Sequence, residues 1–271
     1  MPKQKSAQLV EIFSSLQGEG PYAGVPMTFV RLQGCHIHCR WCDTPHSFAK
    51  TAPTCRIESP PQSTKFRKEK NPVSVSQLIQ WLTDFKNQYI SLTGGEPLEQ
   101  VDFIYEYLLS QQNRGDAQSP AEGSLQGDGR GWSGRTRVLL ETAGIHYKAL
   151  AKVLPYIDIV SMDWKLSSST GLKSFTKEHG KFLETAVKEG KEVYIKIVVT
   201  EATDFKEIKE AAECIQTIDP SVLVICQPLT PVKQMPETIS AKKLMQTEEL
   251  LRSFLPHVKT LPQMHKIWNV L

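Results

Sequence analysis

No stretch of this 271-residue chain stays apolar for the roughly 18 residues a membrane-spanning helix needs, so no transmembrane segment is expected. The N-terminal run MPKQKSAQLVEIF is basic but lacks an apolar core, which argues against a secretory signal and for a cytosolic location. Excess charge of one sign is also missing. The 32 Lys+Arg residues nearly balance 29 Asp+Glu, leaving a formal net charge of +3. The one basic cluster, KFRKEK at 65–70, reads as a solvated loop, and no direct nucleic-acid partner is expected. Cysteines are too few and too uneven for a disulfide framework. Three of the six crowd into residues 35–42, while Cys55, Cys214 and Cys226 are scattered and read as small buried hydrophobes, which suits a reducing compartment. There is no internal repeat. What remains, 40% hydrophobic and 23% charged residues, is ordinary for a soluble globular protein, and the chain is expected to form a single domain over 1–271.

Short β-branched runs alternate with stretches at helical spacing. Strands are expected over 28–32, 89–92, 138–141, 157–162, 193–199 and 222–226. Helices are expected over 75–85, 101–109, 147–153, 172–189 and 205–217, with a final one over 241–254. Ser74 suits the N-cap of the first helix, and Gly190 the stop of the fourth. Such alternation predicts an α/β fold with a parallel sheet, and six units fall short of the eight of a closed barrel. The expected architecture is a partial (β/α)6 TIM-type barrel. Two polar segments interrupt it and read as insertions: 52–71, without clear period, and 111–135, rich in Gly, Ser, Gln and Asp.

The run GCHIHCRWCD places Cys35, Cys39 and Cys42 in a CxxxCxxC spacing. A closed structural metal site normally has four ligands, and a [4Fe–4S] cluster has four irons that each take a thiolate. Three thiols therefore leave one iron open. The alternative is a zinc knuckle with His36, His38 or His46 as fourth ligand. The spacing, with Trp41 just before the last cysteine, resembles the radical S-adenosylmethionine (SAM) superfamily, in which the open iron is chelated by the amino and carboxylate groups of SAM.

Polar and glycine residues recur where strands are expected to end: the cysteine loop, TGGEP at 93–97, ETAG at 141–144, DWK at 163–165, and Gln227-Pro228. In parallel α/β sheets these ends form the ligand-binding face. TGGEP resembles the superfamily's GGEP motif, with Glu96 offering a carboxylate to the SAM ammonium. Glu141 and Thr142 could reach the ribose or methionine part, and Lys165 could pair with the SAM carboxylate. The alternative for Asp163 and Lys165 is a salt-bridged barrel rim, and for Asp163 the two readings weigh evenly. Together these runs favour the superfamily over the zinc knuckle.

Within it, FSSLQGEG at 13–20, Phe29 to Leu32, the WCDT run at 41–44 and PQMHKIW at 262–268 resemble the 7-carboxy-7-deazaguanine synthase family. The resemblance implies ring contraction of 6-carboxy-5,6,7,8-tetrahydropterin with release of ammonia, on the queuosine precursor route to modified tRNA. It places Leu16, Gln17, Gly18, Arg31 and Thr93 on substrate. Trp41, Cys42, Asp43, Gly95, Glu96, Glu141, Thr142, Lys165 and Gln227 fall at SAM. Cys35, Cys39 and Cys42 hold the cluster, and Thr44 is a Mg²⁺ ligand. The radical comes from SAM, so no side chain is expected to act as the catalyst itself. A flavodoxin- or ferredoxin-type electron donor and a homodimer are implied as well. The competing functions are a glycyl-radical enzyme activase and, in a different class, a non-catalytic zinc-binding interaction protein.

Overall fold

The computed structural model describes residues 5–115 and 135–270. Its strands are β1 (Ser6–Ala7), β2 (Leu9–Leu16), β3 (Pro26–Leu32), β4 (Thr54–Glu58), β5 (Phe66–Lys70), β6 (Val73–Ser74), β7 (Tyr89–Gly94), β8 (Arg137–Thr142), β9 (Ile159–Asp163), β10 (Glu192–Val199), β11 (Leu223–Pro228) and β12 (Val258–Thr260). The helices are α1 (Val75–Leu82), α2 (Val101–Gly115), α3 (Tyr147–Val153), α4 (Ser167–Thr170), α5 (Thr176–Lys188), α6 (Phe205–Ile218), α7 (Ala241–Arg252) and α8 (Met264–Trp268). Ser74 caps α1 as the sequence suggests, in a reciprocal capping box with Gln77. Gly190, with a positive φ of 65°, follows α5.

Ten strands form one sheet in the order β12-β11-β10-β9-β8-β7-β3-β2-β4-β5. The six expected strands correspond to β3 and β7 to β11, and every neighbouring pair among them is parallel. The α/β expectation holds, and the sheet is open, because β12 and β5 are its two edges. Adjacent residues on each strand face opposite sides. Val30, Leu140, Val160, Ile195 and Val224 join Leu78, Leu150, Leu183, Ile208 and Leu251 of the helices in the main core. Their neighbours Phe29, Leu139, Ile159, Tyr194 and Ile225 pack with Phe13 and Met27 on the inner face. Further along the same inner rows come Arg31, Glu141, Asp163, Lys196 and Gln227. The inner surface thus turns from apolar to polar toward the carboxyl ends of the strands.

Three parts of the architecture depart from the expectation. Strand β2, antiparallel to β3, has no clean alternation, because a register shift between Leu9 and Glu11 breaks its period of two. Residues 52–71, without visible period, contain the β4–β5 hairpin. Cys55 and Ile57 point into the core, while β5 is an edge strand whose FRKEK sequence blunts pairing with other chains. Helix α2 extends past 109 to Gly115, and 116–134, most of the second polar segment, lies outside the described residues.

His179 of α5 ties this frame to the strand ends. Its Nδ1 is 2.8 Å from the Gly144 carbonyl, and its Nε2 accepts the Lys165 backbone N–H at 3.0 Å. Burial is the main reason its pKa falls from 6.5 to about 4. The unfolded chain therefore binds a proton that the folded one refuses. The His179 contribution is complete above pH 6.5 and is lost as pH falls toward 4, by roughly 3 kcal/mol. Denaturant midpoints between pH 4 and 7 should show a steeper acid limb in the parent than in His179→Gln; equal limbs would contradict it.

Candidate functional site

The strand ends surround a cavity of about 1230 Å³, counting its open mouth. One wall is the loop after β3. Gly34 donates its N–H to the Ser47 carbonyl (2.7 Å), and the Gln33 side chain donates to the His46 and Ala49 carbonyls (3.0 and 2.8 Å), closing the loop at its base. Cys35, Cys39 and Cys42 line the cavity. The loop leans on the turn after β7, where the Glu96 N–H donates to the Gly34 carbonyl at 2.8 Å. A Cβ on Gly95 would lie 2.1 Å from that same oxygen, so glycine is required there for two backbones to meet.

The three histidines of the knuckle alternative do not join the thiols. His36 bonds to Glu99, His38 stacks on Phe48 with ring centroids 4.4 Å apart, and the His46 carbonyl accepts from Gln33. Among the described residues, no group containing a cysteine gathers three ligand atoms within 4.8 Å. A tetrahedral ion with Zn–S bonds of about 2.3 Å needs tighter spacing, whereas a cluster places its thiolates on separate irons. The donor set therefore fits a cluster better than a single ion. Burial pushes the Cys39 thiol up to about 11, with Lys165 pulling the other way.

Next to this loop the wall is charged. Lys165 Nζ donates to Asp163 at 2.6 Å and lies 4.3 Å above the Trp41 ring. Lys196 reaches Asp163 at 3.2 Å and also bonds Glu19. Burial opposes charge on all three groups, but mutual attraction prevails, lowering the Asp163 pKa and raising those of Lys165 and Lys196. Glu19 further accepts from Gln263 (2.6 Å) and Gln227 (3.3 Å). Trp41 Nε1 and Gln227 Oε1 are buried here without a hydrogen-bond partner. Such orphaned atoms suit a polar ligand such as SAM in the cavity.

Gln17 is held by its own neighbours. Its Nε2 donates to Glu141 at 2.9 Å, and its Oε1 accepts the Gly18 and Glu19 N–H groups at 2.8 and 3.0 Å. Glu141 also accepts from Ser91 (2.7 Å) and Thr93 (3.2 Å), so it ties Gln17, Ser91 and Thr93 together. Arg31 bonds Glu11 at 3.0 Å and lies 5.5 Å from the Phe13 ring centroid. Asp43 faces His265 and Lys266 of α8 at 3.7 and 3.3 Å. Burial would raise its pKa, but these partners and Arg31 bring it well below the usual carboxylate range. The Thr44 hydroxyl stands 3.6 Å from the Cys42 sulfur.

All the sequence-selected residues line this one cavity except Glu96. Its carboxylate is fully buried behind the wall, accepting from Leu98 N–H (3.0 Å), the Thr142 hydroxyl (2.8 Å) and Ala143 N–H (2.8 Å). There it braces the β7 and β8 turns against one another. Burial outweighs these donors and pushes Glu96 up to about 7. Among the lining residues not selected from the sequence are Glu19, Lys196, Gln263 and His265. A lysine within the apolar strand EVYIKIVV was a signal for Lys196. The other three depend on α8 folding back, with Met264 N–H donating to the Gly18 carbonyl at 2.8 Å.

The radical SAM superfamily model matches residues 29–216, more than half of the chain. The chain is similar to 7-carboxy-7-deazaguanine synthase of Geobacter sulfurreducens, at 32% identity over 98% of each chain. It is similar also to the synthase of Methanothermobacter thermautotrophicus, at 29% identity over 96% of each. Its fold resembles the crystal structure of QueE from Escherichia coli, with a TM-score of 0.51 at 20% identity, covering 94% of this chain and 93% of that one. With the thiol loop, the charged strand ends and relatives matched along their whole length, this chain belongs to the radical SAM superfamily and, within it, to the 7-carboxy-7-deazaguanine synthase family.

Proposed function

We propose that the chain contracts the pyrazine ring of 6-carboxy-5,6,7,8-tetrahydropterin to give 7-carboxy-7-deazaguanine and ammonia, within the queuosine precursor pathway. The observation that carries this reading is one cavity lined by Cys35, Cys39 and Cys42 together with Gln17, Arg31 and Thr93. Cys35, Cys39 and Cys42 would hold the [4Fe–4S] cluster. Trp41, Cys42, Asp43, Gly95, Glu96, Glu141, Thr142, Lys165 and Gln227 would hold SAM, and Thr44 would offer its hydroxyl to Mg²⁺, which keeps waters and takes oxygens from substrate. When bound, the cluster and SAM together supply a 5′-deoxyadenosyl radical that takes hydrogen from C6 of the pterin.

The chain's own residues orient and screen. Arg31, fixed by Glu11, presents a guanidinium fork for the substrate carboxylate. Gln17, aimed by Glu141, reads the amide edge of the pterin. Lys165 keeps a cation on the SAM side, balanced by Asp163. The return of the α8 region adds Gln263 and His265 to the cavity lining, which would help to screen the cavity from water and leave less room for the peptide an activase would need. Family resemblance extends the proposal to a flavodoxin- or ferredoxin-type donor, a homodimer and a cytosolic location. No helix among the described residues is long and apolar enough to cross a membrane.

The test is anaerobic cluster reconstitution, then incubation with SAM and the carboxytetrahydropterin, with and without Mg²⁺. Deazaguanine product is expected, and more of it with Mg²⁺. SAM cleavage without that product would sink the substrate assignment, and no cleavage would sink the activity altogether. Thr44→Ala should slow product formation about tenfold or more, with partial recovery at high Mg²⁺. An unchanged Mg²⁺ dependence in this variant would remove Thr44 from the metal.

A further inference from the structure

Outside the cavity, two histidines and a glutamate meet at the back of the cysteine loop. A ring nitrogen from each of His36 and His146 and a Glu99 carboxylate oxygen all lie within 4.8 Å of one another. None of the three lines the cavity described above. We propose that His36, Glu99 and His146 form a second metal site, for a divalent ion of the zinc class.

The donor chemistry fits. Two borderline imidazoles and one hard carboxylate make a set that Zn²⁺ accepts, and three protein ligands leave a fourth position for water. Glu99 is already turned inward: its Oε1 accepts the His36 backbone N–H at 2.9 Å and also contacts the His36 ring. The His36 and His146 rings meet edge-on, with centroids 5.1 Å apart. His146 supplies an independent sign. Its Nε2 is buried and has no hydrogen-bond partner. A buried ring nitrogen left in that state is costly, and an ion coordinated by it would remove the cost.

The placement gives the ion a role. His36 follows the cluster-loop residue Cys35, Glu99 sits in the turn Pro97–Gln100 after TGGEP, and His146 directly precedes α3 beyond ETAG. An ion here would clip together three separate loops that carry cavity residues. It would act as a structural latch behind the site, not as part of the reaction. The histidine that could have completed a zinc knuckle would then bind zinc with different partners.

The experiment uses the full chain with its cluster reconstituted anaerobically, so that the three loop cysteines are occupied. Zinc is added, loosely held metal is removed by dialysis, and zinc and iron are quantified per chain. The parent should retain about one zinc beyond its cluster iron. His36→Ala, Glu99→Gln and His146→Ala should each lose that zinc while loading iron as the parent does. His36 and Glu99 are at the surface of the loop and turn, so these two variants decide the matter if His146→Ala fails to load iron. X-ray absorption at the zinc edge should show nitrogen and oxygen ligands at about 2.0–2.1 Å and no sulfur near 2.3 Å. A parent that retains no zinc overturns the proposal. So does zinc retained equally by the variants, or a zinc–sulfur distance in the spectrum.

Discussion

Replacing Cys39 with alanine is expected to leave a folded, colourless chain that cannot cleave SAM. Cys39 is the middle thiol of the CxxxCxxC loop and is buried, 9% exposed, against Ile37, Ala143, Ile145 and Phe175. The fold does not need its sulfur: the loop is closed by Gly34 to Ser47 and by the Gln33 side chain, none of which touches it. The cluster does need it. Burial holds the metal-free thiol up to about 11, so the thiolate appears only when metal takes the place of the proton. With two thiolates left, two irons instead of one lack a protein ligand. Iron should fall from about four per chain toward zero, with the visible absorbance lost and SAM cleavage below detection. Cys214→Ser is the control, since Cys214 packs on α5, 3.3 Å from where a Gly180 Cβ would sit, away from the cavity. It should keep both iron and activity. A Cys39→Ala chain that still cleaves SAM would refute the cluster assignment at its base.

The parts of this protein that were legible in its sequence are those where a local pattern coincides with a tertiary demand. The six parallel strands are buried on both faces, so each appears as a continuous β-branched run. The cysteine loop and the TGGEP, ETAG and DWK runs were visible because polar residues stand directly after those apolar stretches. Strand β2 stayed hidden because its bulge breaks the period of two, and β4 because five residues carry only two buried hydrophobes, Cys55 and Ile57. The motif placed Glu96, and only the fold shows that its carboxylate also accepts from Thr142 and Ala143. Glu19, Gln263 and His265 were illegible for another reason. They meet through the return of α8 across some 245 residues of chain, a contact that no local spacing encodes.

Lys196→Met is expected to destabilise the chain by about 3–5 kcal/mol, because it removes one partner from a buried charge network. Lys196 is only 5% exposed and lies between Glu19 and Asp163, with Lys165 completing the group. Methionine matches the length of the lysine stem, so packing is largely kept and the loss is electrostatic. Two largely but not fully buried carboxylates would then share the cation Lys165, which bonds Asp163. Glu19 would be left with amide donors alone, from Gln227 and Gln263. For a domain of this size, 3–5 kcal/mol corresponds to a fall in Tm of roughly 10 °C. Neutralising Glu19 as well should restore part of the loss, so Lys196→Met/Glu19→Gln should be more stable than the sum of the single variants predicts. The cycle separates a network from a merely buried lysine: strict additivity would mean that Glu19 and Lys196 do not stabilise one another. Raised ionic strength should change little in the parent, because a network this deep is screened far less than a surface pair. That insensitivity, with non-additive midpoints, is what a charged wall built to keep its shape around a cationic ligand such as SAM requires.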